Sequence, residues 1–256
     1  MKRLRNGLAL AVLLSSTVAG VARAQQWQPT PPPILVKAGR LLDPRTGDVL
    51  SPAAVLIEGG RIKEVGAPTK VKTPPGTKII DLGNATLLPG LIDSHTHLLL
   101  DVVLPAEAER ARRLNGTFVP DLLLAIAESP SKRVLMGAQN ARQDLESGIT
   151  AVRNLGHSGI DGDTELRDAI NAGRVPGPRI LACGRKLITR GSYVQNLNPV
   201  LADAILQQEF LLIDGADSAR QAVRRNVFYN VDVTRSLALF LLTLYTWIGN
   251  IPIEYR

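Results

Sequence analysis

Two histidines with one residue between them, His95 and His97, are the side chains of this sequence best placed to do chemistry. Asp93 stands two residues before the first of them. Along a strand, residues two apart point to the same side. Both imidazoles can then aim at one point, which is what a single divalent ion asks of two neutral nitrogen ligands. Asp93 shares that face and is placed to hold a ligand histidine in one tautomer, as carboxylates behind metal ligands do. An isolated His-x-His on a half-exposed strand needs no metal, because water satisfies an imidazole equally well. The surrounding residues therefore decide.

Those residues form a short apolar strand. Pro89-Gly90 punctuates the chain, Leu91-Ile92 opens the strand and the histidines end it. After Leu87 the pattern alternates strands with helices, which argues for parallel βαβ units. Val134, Ala138, Ala141 and Leu145 recur at helical spacing, and Gly148 stands where a glycine stops a helix. Residues 149–154 read as the second strand. Asp163 reads as an N-cap, Leu166 and Ile170 as the inner face of the next helix, and Gly173 as its stop. Residues 179–184 read as the third strand, a further helix starts near Asp217, and Val231-Asp232-Val233 reads as the fourth strand. Residues 34–86 read as short strands, with Gly59-Gly60 as a two-residue hairpin signal and a turn at Gly83-Asn84. The expected fold class is α/β: a partial TIM-like (β/α) barrel of about four βα units, preceded by a small β-sandwich subdomain.

The string Pro89-Gly90-Leu91-Ile92-Asp93-Ser94-His95-Thr96-His97 resembles the first-strand signature of the metal-dependent amidohydrolase superfamily. The resemblance runs from about Ile34 to Arg235 and is closest to the imidazolonepropionase-like and Xaa-Pro-dipeptidase-like branch. It implies a hydrolase of a C–N bond in an amide, a cyclic amide or a peptide. It implies a divalent metal, zinc being the expected ion and two ions the rule in intact relatives, with His95 and His97 holding the more buried one. The third histidine, His157, follows the second strand in a Gly-flanked loop. The family signature puts no ligand there, so a solvated loop histidine is expected, with a substrate contact as the alternative.

The resemblance fades toward the end of the chain. The family's fourth strand carries a lysine that becomes carboxylated and bridges two metals. That position falls on Arg235, which stays protonated. The later histidines and aspartate of the family have no counterpart here. Gly90 to Arg256 supplies 167 residues, against about 250 in a typical barrel. The expectation is a chain truncated and inactive as given. Residues 236–256 form an apolar tail with three open readings: a membrane helix, a buried element of a shortened fold, or out-of-frame translation.

Residues 1–24 read as a signal peptide, with Lys2, Arg3 and Arg5 before an apolar stretch and Ala22-Arg23-Ala24 as the cleavage site. The expected location is periplasmic or secreted. Residues 25–33 are a Pro-rich lead-in. The net charge of +7 falls to +3 without the four basic residues of the signal, too little to argue for nucleic acid. The single cysteine, Cys183, is expected in the core. The expected partner is a small amide or peptide substrate, with membrane attachment open through the tail and oligomeric state undetermined. The other function class is a membrane-tethered, non-catalytic barrel fragment with a binding role. The hydrolase reading expects activity to fall on chelation and on His95→Ala. A tethered fragment sediments with membranes and ignores the chelator.

Overall fold

The computed structural model describes residues 31–100, 127–189 and 197–236. The expected signal peptide and the apolar tail after Ser236 lie outside the described residues. The chain divides into two compact units between Pro89 and Gly90.

Among the described residues the first unit has seven strands: β1 (Ile34–Ala38), β2 (Arg40–Leu42), β3 (Val49–Leu50), β4 (Ala53–Glu58), β5 (Arg61–Gly66), β6 (Lys78–Asp81) and β7 (Thr86–Leu87). They form two sheets, of order β5-β4-β1-β6 and β3-β2-β7. The β4–β5 hairpin closes on Gly59 and Gly60, with φ of 56° and 74°. Two successive left-handed residues are what a tight hairpin turn needs, and glycine supplies them without steric cost. Leu35, Ala54, Leu56 and Val71 pack as a small core. A cavity of about 540 Å³, lined by apolar residues including Val36, Val55, Ile57 and Leu87, stays open within this unit.

The second unit contains β8 (Leu91–Thr96), α1 (Pro130–Glu146), β9 (Ile149–Asn154), α2 (Gly162–Asn171), β10 (Arg179–Leu181), β11 (Lys186–Ile188), α3 (Pro199–Glu209), β12 (Phe210–Leu212) and α4 (Ala216–Phe228). β10, β9 and β8 form a parallel sheet in that order. β11 and β12 pair in parallel beside a bridge from Leu187 to Ser236. Ser129 caps α1 by accepting from the Lys132 amide, and Pro130 sits where a missing N–H costs nothing. Gly137 on the inner face of α1 lets the helix approach Leu99 and Leu166, which would crowd any β-carbon there. Gly90 is required for a similar reason, because a β-carbon at that position would overlap the Thr150 side chain. The core gathers Leu98, Leu99, Ala141, Val152, Leu166, Ile180 and Ala182.

Several sequence expectations need correction. Val231-Asp232-Val233 is not a strand. The Asp232 and Val233 amides both donate to the Ala182 carbonyl, and ladder contact begins only at Ser236. The third strand ends at Leu181, because the next amides turn toward a side chain. Asp163 is not the cap of α2; that position belongs to Asp161. The Asp163 carboxylate is fully buried and accepts from the amides of Cys183 (2.9 Å) and Gly184 (3.0 Å) and from Asn154 Nδ2 (3.2 Å). β11, α3 and β12 were not foreseen. Cys183 is buried and free, and burial followed by Asp163 pushes its thiol up to about 12. Among the described residues no helix is long and apolar enough to cross a membrane.

Replacing Asp163 by alanine strips the acceptor from two buried amides. Hydrogen bonds to charged groups contribute about 1.5–3 kcal/mol each, so a loss of roughly 3 kcal/mol or more is expected in urea unfolding followed by circular dichroism. A change within about 0.5 kcal/mol, the range of an ordinary surface substitution, would contradict this role.

Candidate metal centre

The site lies at the C-terminal end of β8, where a βα unit presents its functional side chains. β8 does not alternate cleanly. Asp93 faces Val152 and Thr96 faces Asn154, so β8 holds one residue more than β9 over this stretch. The bulge is pinned by Arg153 Nε, which donates to the Ser94 carbonyl at 2.7 Å. It re-aims the strand end, as bulges near sites do. His95 sits in the bulge and His97 just beyond the strand, and their ring centroids are 5.4 Å apart. Two imidazoles bound to one zinc at about 2.0–2.1 Å place their centroids about 4.5–5.2 Å apart. The observed pair stands slightly outside that range.

His97 is half-buried, and its Nδ1 lies 3.2 Å from the Gly156 carbonyl. That contact puts the proton on Nδ1 and leaves Nε2 free, the tautomer a metal ligand needs. Burial pushes the His97 imidazole down to about 4; the Gly156 carbonyl opposes this, and Lys186 and Arg235 reinforce it. His97 is therefore neutral and ready to bind a cation well below neutral pH. Asp93 acts on the backbone: its Oδ1 accepts from the His95 amide at 2.9 Å. The Gly156 carbonyl fixes the tautomer of His97, and Asp93 contacts the His95 backbone.

The sequence reading missed His157. It is not solvated: 5 % of its surface is exposed, and its ring packs edge-on against His97 with centroids 4.7 Å apart. Its backbone is left-handed, φ 59°, a conformation uncommon outside glycine though less so for histidine. Arg133 holds that backbone by donating to the His157 carbonyl. Arg133 in turn pairs with Glu209 at 2.9 Å, the side chains 4 % and 1 % exposed. Burial, then Lys186 and His97, push the His157 imidazole down to about 2. Its Nδ1 is buried without a hydrogen-bond partner among the described residues. Gly156 makes room for Lys186, whose Cδ would lie 2.6 Å from a β-carbon there. Lys186 is itself buried beneath the loop, its Nζ 4.7 Å from the Phe210 ring centre. Burial pulls its ammonium down to about 8, against the pull of Glu209. Arg235 reaches the same loop, its Nη1 2.5 Å from the Leu155 carbonyl.

Among the described residues no group of three or more His, Cys, Asp or Glu side chains stands ready to hold a metal ion. His95 and His97 are a pair with His157 beside them. Two imidazoles at one strand end, with the His97 tautomer fixed by the Gly156 carbonyl, are the part of a divalent ion's donor set that the described residues bring together.

A parallel βα unit with a His-x-His at the end of its first strand defines a class of metal-site scaffold, and comparison with known proteins names the family. Residues 86–233 match the family model described as "Amidohydrolase family". The chain belongs to that family. It is 29% identical over 223 residues to adenine deaminase 2 of Rhizobium johnstonii, covering 72% of this chain and 36% of that protein. It is 28% identical over 144 residues to an imidazolonepropionase of Idiomarina loihiensis, covering 52% of this chain and 35% of that one. A solved Xaa-Pro dipeptidase with bound methionine is 26% identical with a TM-score of 0.59, over 80% of this chain and 46% of its own. A prolidase solved with N-methylphosphonate-L-proline shares the fold, at 24% identity and a TM-score of 0.61. The chain spans about a third of these curated relatives and under half of these solved chains.

The depressed values have a sign that can be measured in metal-free protein. His97 and His157 are neutral when folded and take up protons on unfolding below the ordinary histidine value of 6.5. The unfolded state binds more protons, so stability is full above pH 6.5 and falls as pH drops from there toward 4. Two extra protons give a slope of up to about 2.7 kcal/mol per pH unit. His157→Asn is expected to halve it. A flat profile between pH 7 and 5 would show that neither ring is buried neutral.

Proposed function

We propose that this chain supplies the first metal-binding strand of a metal-dependent hydrolase acting on a C–N bond. The observation that carries the reading is the His95–His97 pair with the Gly156 carbonyl fixing the His97 tautomer. Family membership supports it, as do the relatives, named for deamination and for imidazolone or dipeptide hydrolysis. The proposed ligands are His95 and His97, with Asp93 bracing the His95 backbone. A divalent ion held there, with zinc the expected one, would polarise a carbonyl and lower the pKa of a water molecule. The proposed architecture is the N-terminal part of a (β/α) barrel, with residues 34–86 contributing to a β-sandwich. The proposed substrate is a small amide, cyclic amide or dipeptide, met outside the cytoplasm after export by residues 1–24.

The chain's own residues bind and orient. His97 presents Nε2 because Nδ1 is engaged. His95 presents its ring from a bulge that Arg153 holds in place. No histidine follows His157, and among the described residues no third His, Cys, Asp or Glu joins the pair to complete the ligand set that a catalytic ion needs. We therefore propose that these 256 residues bind the metal without turning over substrate.

Zinc titration of the full chain tests the reading. One equivalent is expected to bind, and His95→Ala or His97→Ala is expected to weaken binding by at least tenfold. Hydrolysis of an amide or dipeptide panel by this chain, abolished by chelator, would overturn the statement about turnover. Zinc bound equally well by both alanine variants would overturn the site.

A further inference from the structure

We propose that Arg235 recognises a carboxylate on the ligand of this site, an inference that rests on the reading of the His95–His97 pair as the substrate site. The substrate class is then an acyl amino acid, an amide whose amine half carries a free acid group, rather than a neutral or cyclic amide. One loop ties Arg235 to the histidines. The Leu155 amide donates to the Thr96 carbonyl at 3.0 Å, and Thr96 stands between His95 and His97. The Leu155 carbonyl accepts from Arg235 Nη1 at 2.5 Å. The next carbonyl along, Gly156, engages His97 Nδ1 at 3.2 Å. Guanidinium and imidazole therefore stand on neighbouring carbonyls. The Arg235 backbone is fixed as well, its carbonyl accepting from the Leu187 amide at 2.8 Å.

Charge says what such a group is for. Arg235 is half-buried and forms no ion pair among the described residues. Glu209, the buried carboxylate near this loop, is taken by Arg133 at 2.9 Å. Lys186, beneath the same loop, adds positive charge. A cation partly withdrawn from water attracts an anion more strongly than an exposed one does. The Leu155 carbonyl takes one of the five guanidinium donors. The fork that remains matches the two oxygens of a carboxylate, and a carboxylate brings the single negative charge that one arginine balances. A neutral amide leaves Arg235 without a counter-charge. Sites built to pair a polar group reject the analogue that lacks it far more strongly than apolar pockets reject a missing methylene.

The test uses the metal-free full chain, so its outcome does not depend on zinc. Binding of N-acetylglycine and N-acetyl-L-leucine is compared by NMR with binding of their uncharged amides, N-acetylglycinamide and N-acetyl-L-leucinamide. The acids are expected to bind about tenfold or more tightly than the amides, the scale of a charged hydrogen bond, and to lose that advantage in high salt. Arg235→Gln is expected to abolish the preference, and Arg235→Lys, which keeps the charge without the fork, to retain part of it. Acids and amides bound alike by the wild type, no binding of either, or a preference undiminished in Arg235→Gln would overturn the inference. The wild-type comparison and its salt dependence decide the matter even if a variant fails to fold. Zinc titration reads the metal site separately: a chain that prefers the acids yet binds no zinc would overturn the metal and leave the carboxylate site standing.

Discussion

The C-terminal ends of β9 and β10 and the residues after β8 are tied together by one buried carboxylate and one buried amide. Asp163 accepts from the Cys183 and Gly184 amides and from Asn154; Asn154 Oδ1 accepts from the Leu98 amide at 2.9 Å. Each strand of a parallel sheet ends in amides that no neighbouring strand satisfies. Buried amides left without an acceptor cost about 1–3 kcal/mol each. Asp163 and Asn154 meet that requirement for three amides on two segments at once. They also fix where His97 and His157 can be, because Leu98 follows the first and Ser158 follows the second. The histidine cluster is downstream of this relay.

Charge shapes what the cluster can do. Arg133, Lys186 and Arg235 approach the loop at 155–157 from three different segments. Glu209 offsets part of this by pairing with Arg133. The His97 and His157 imidazoles respond by staying neutral, which is the state that binds metal. The same surroundings weaken the hold on a divalent ion, so the centre trades affinity for ligands that protons do not block.

The first-strand signature, the helices near Val134, Leu166 and Ala219, and the Gly59-Gly60 hairpin were legible because each depends on local periodicity or on a residue with one backbone role. What escaped depends on partners far along the chain. His157 read as a loop residue because glycines flank it, yet Arg133 and Glu209 bury it from 24 residues before and 52 residues after. Asp163 read as a cap because it stands near a helix start, yet its acceptors' partners are amides 20 and 21 residues on. β11 and β12 are three residues each, and a buried lysine opens the first. No alternation marks strands so short. Arg235, aligned by sequence with a bridging lysine, lies beside β11 through its carbonyl, which accepts from the Leu187 amide at 2.8 Å.

Two large apolar side chains of the second unit stand out by their exposure. Ile92 on β8 is 74 % exposed and Phe228 at the end of α4 is 81 % exposed. Such positions in a parallel βα unit are ordinarily covered on both faces. The central claim concerns the metal and is tested most directly by X-ray absorption at the zinc edge on zinc-loaded full chain after desalting. The account predicts retained zinc with a nitrogen shell at about 2.0–2.1 Å and imidazole multiple scattering. Zinc lost on desalting, or bound through oxygen or sulfur alone, would contradict it.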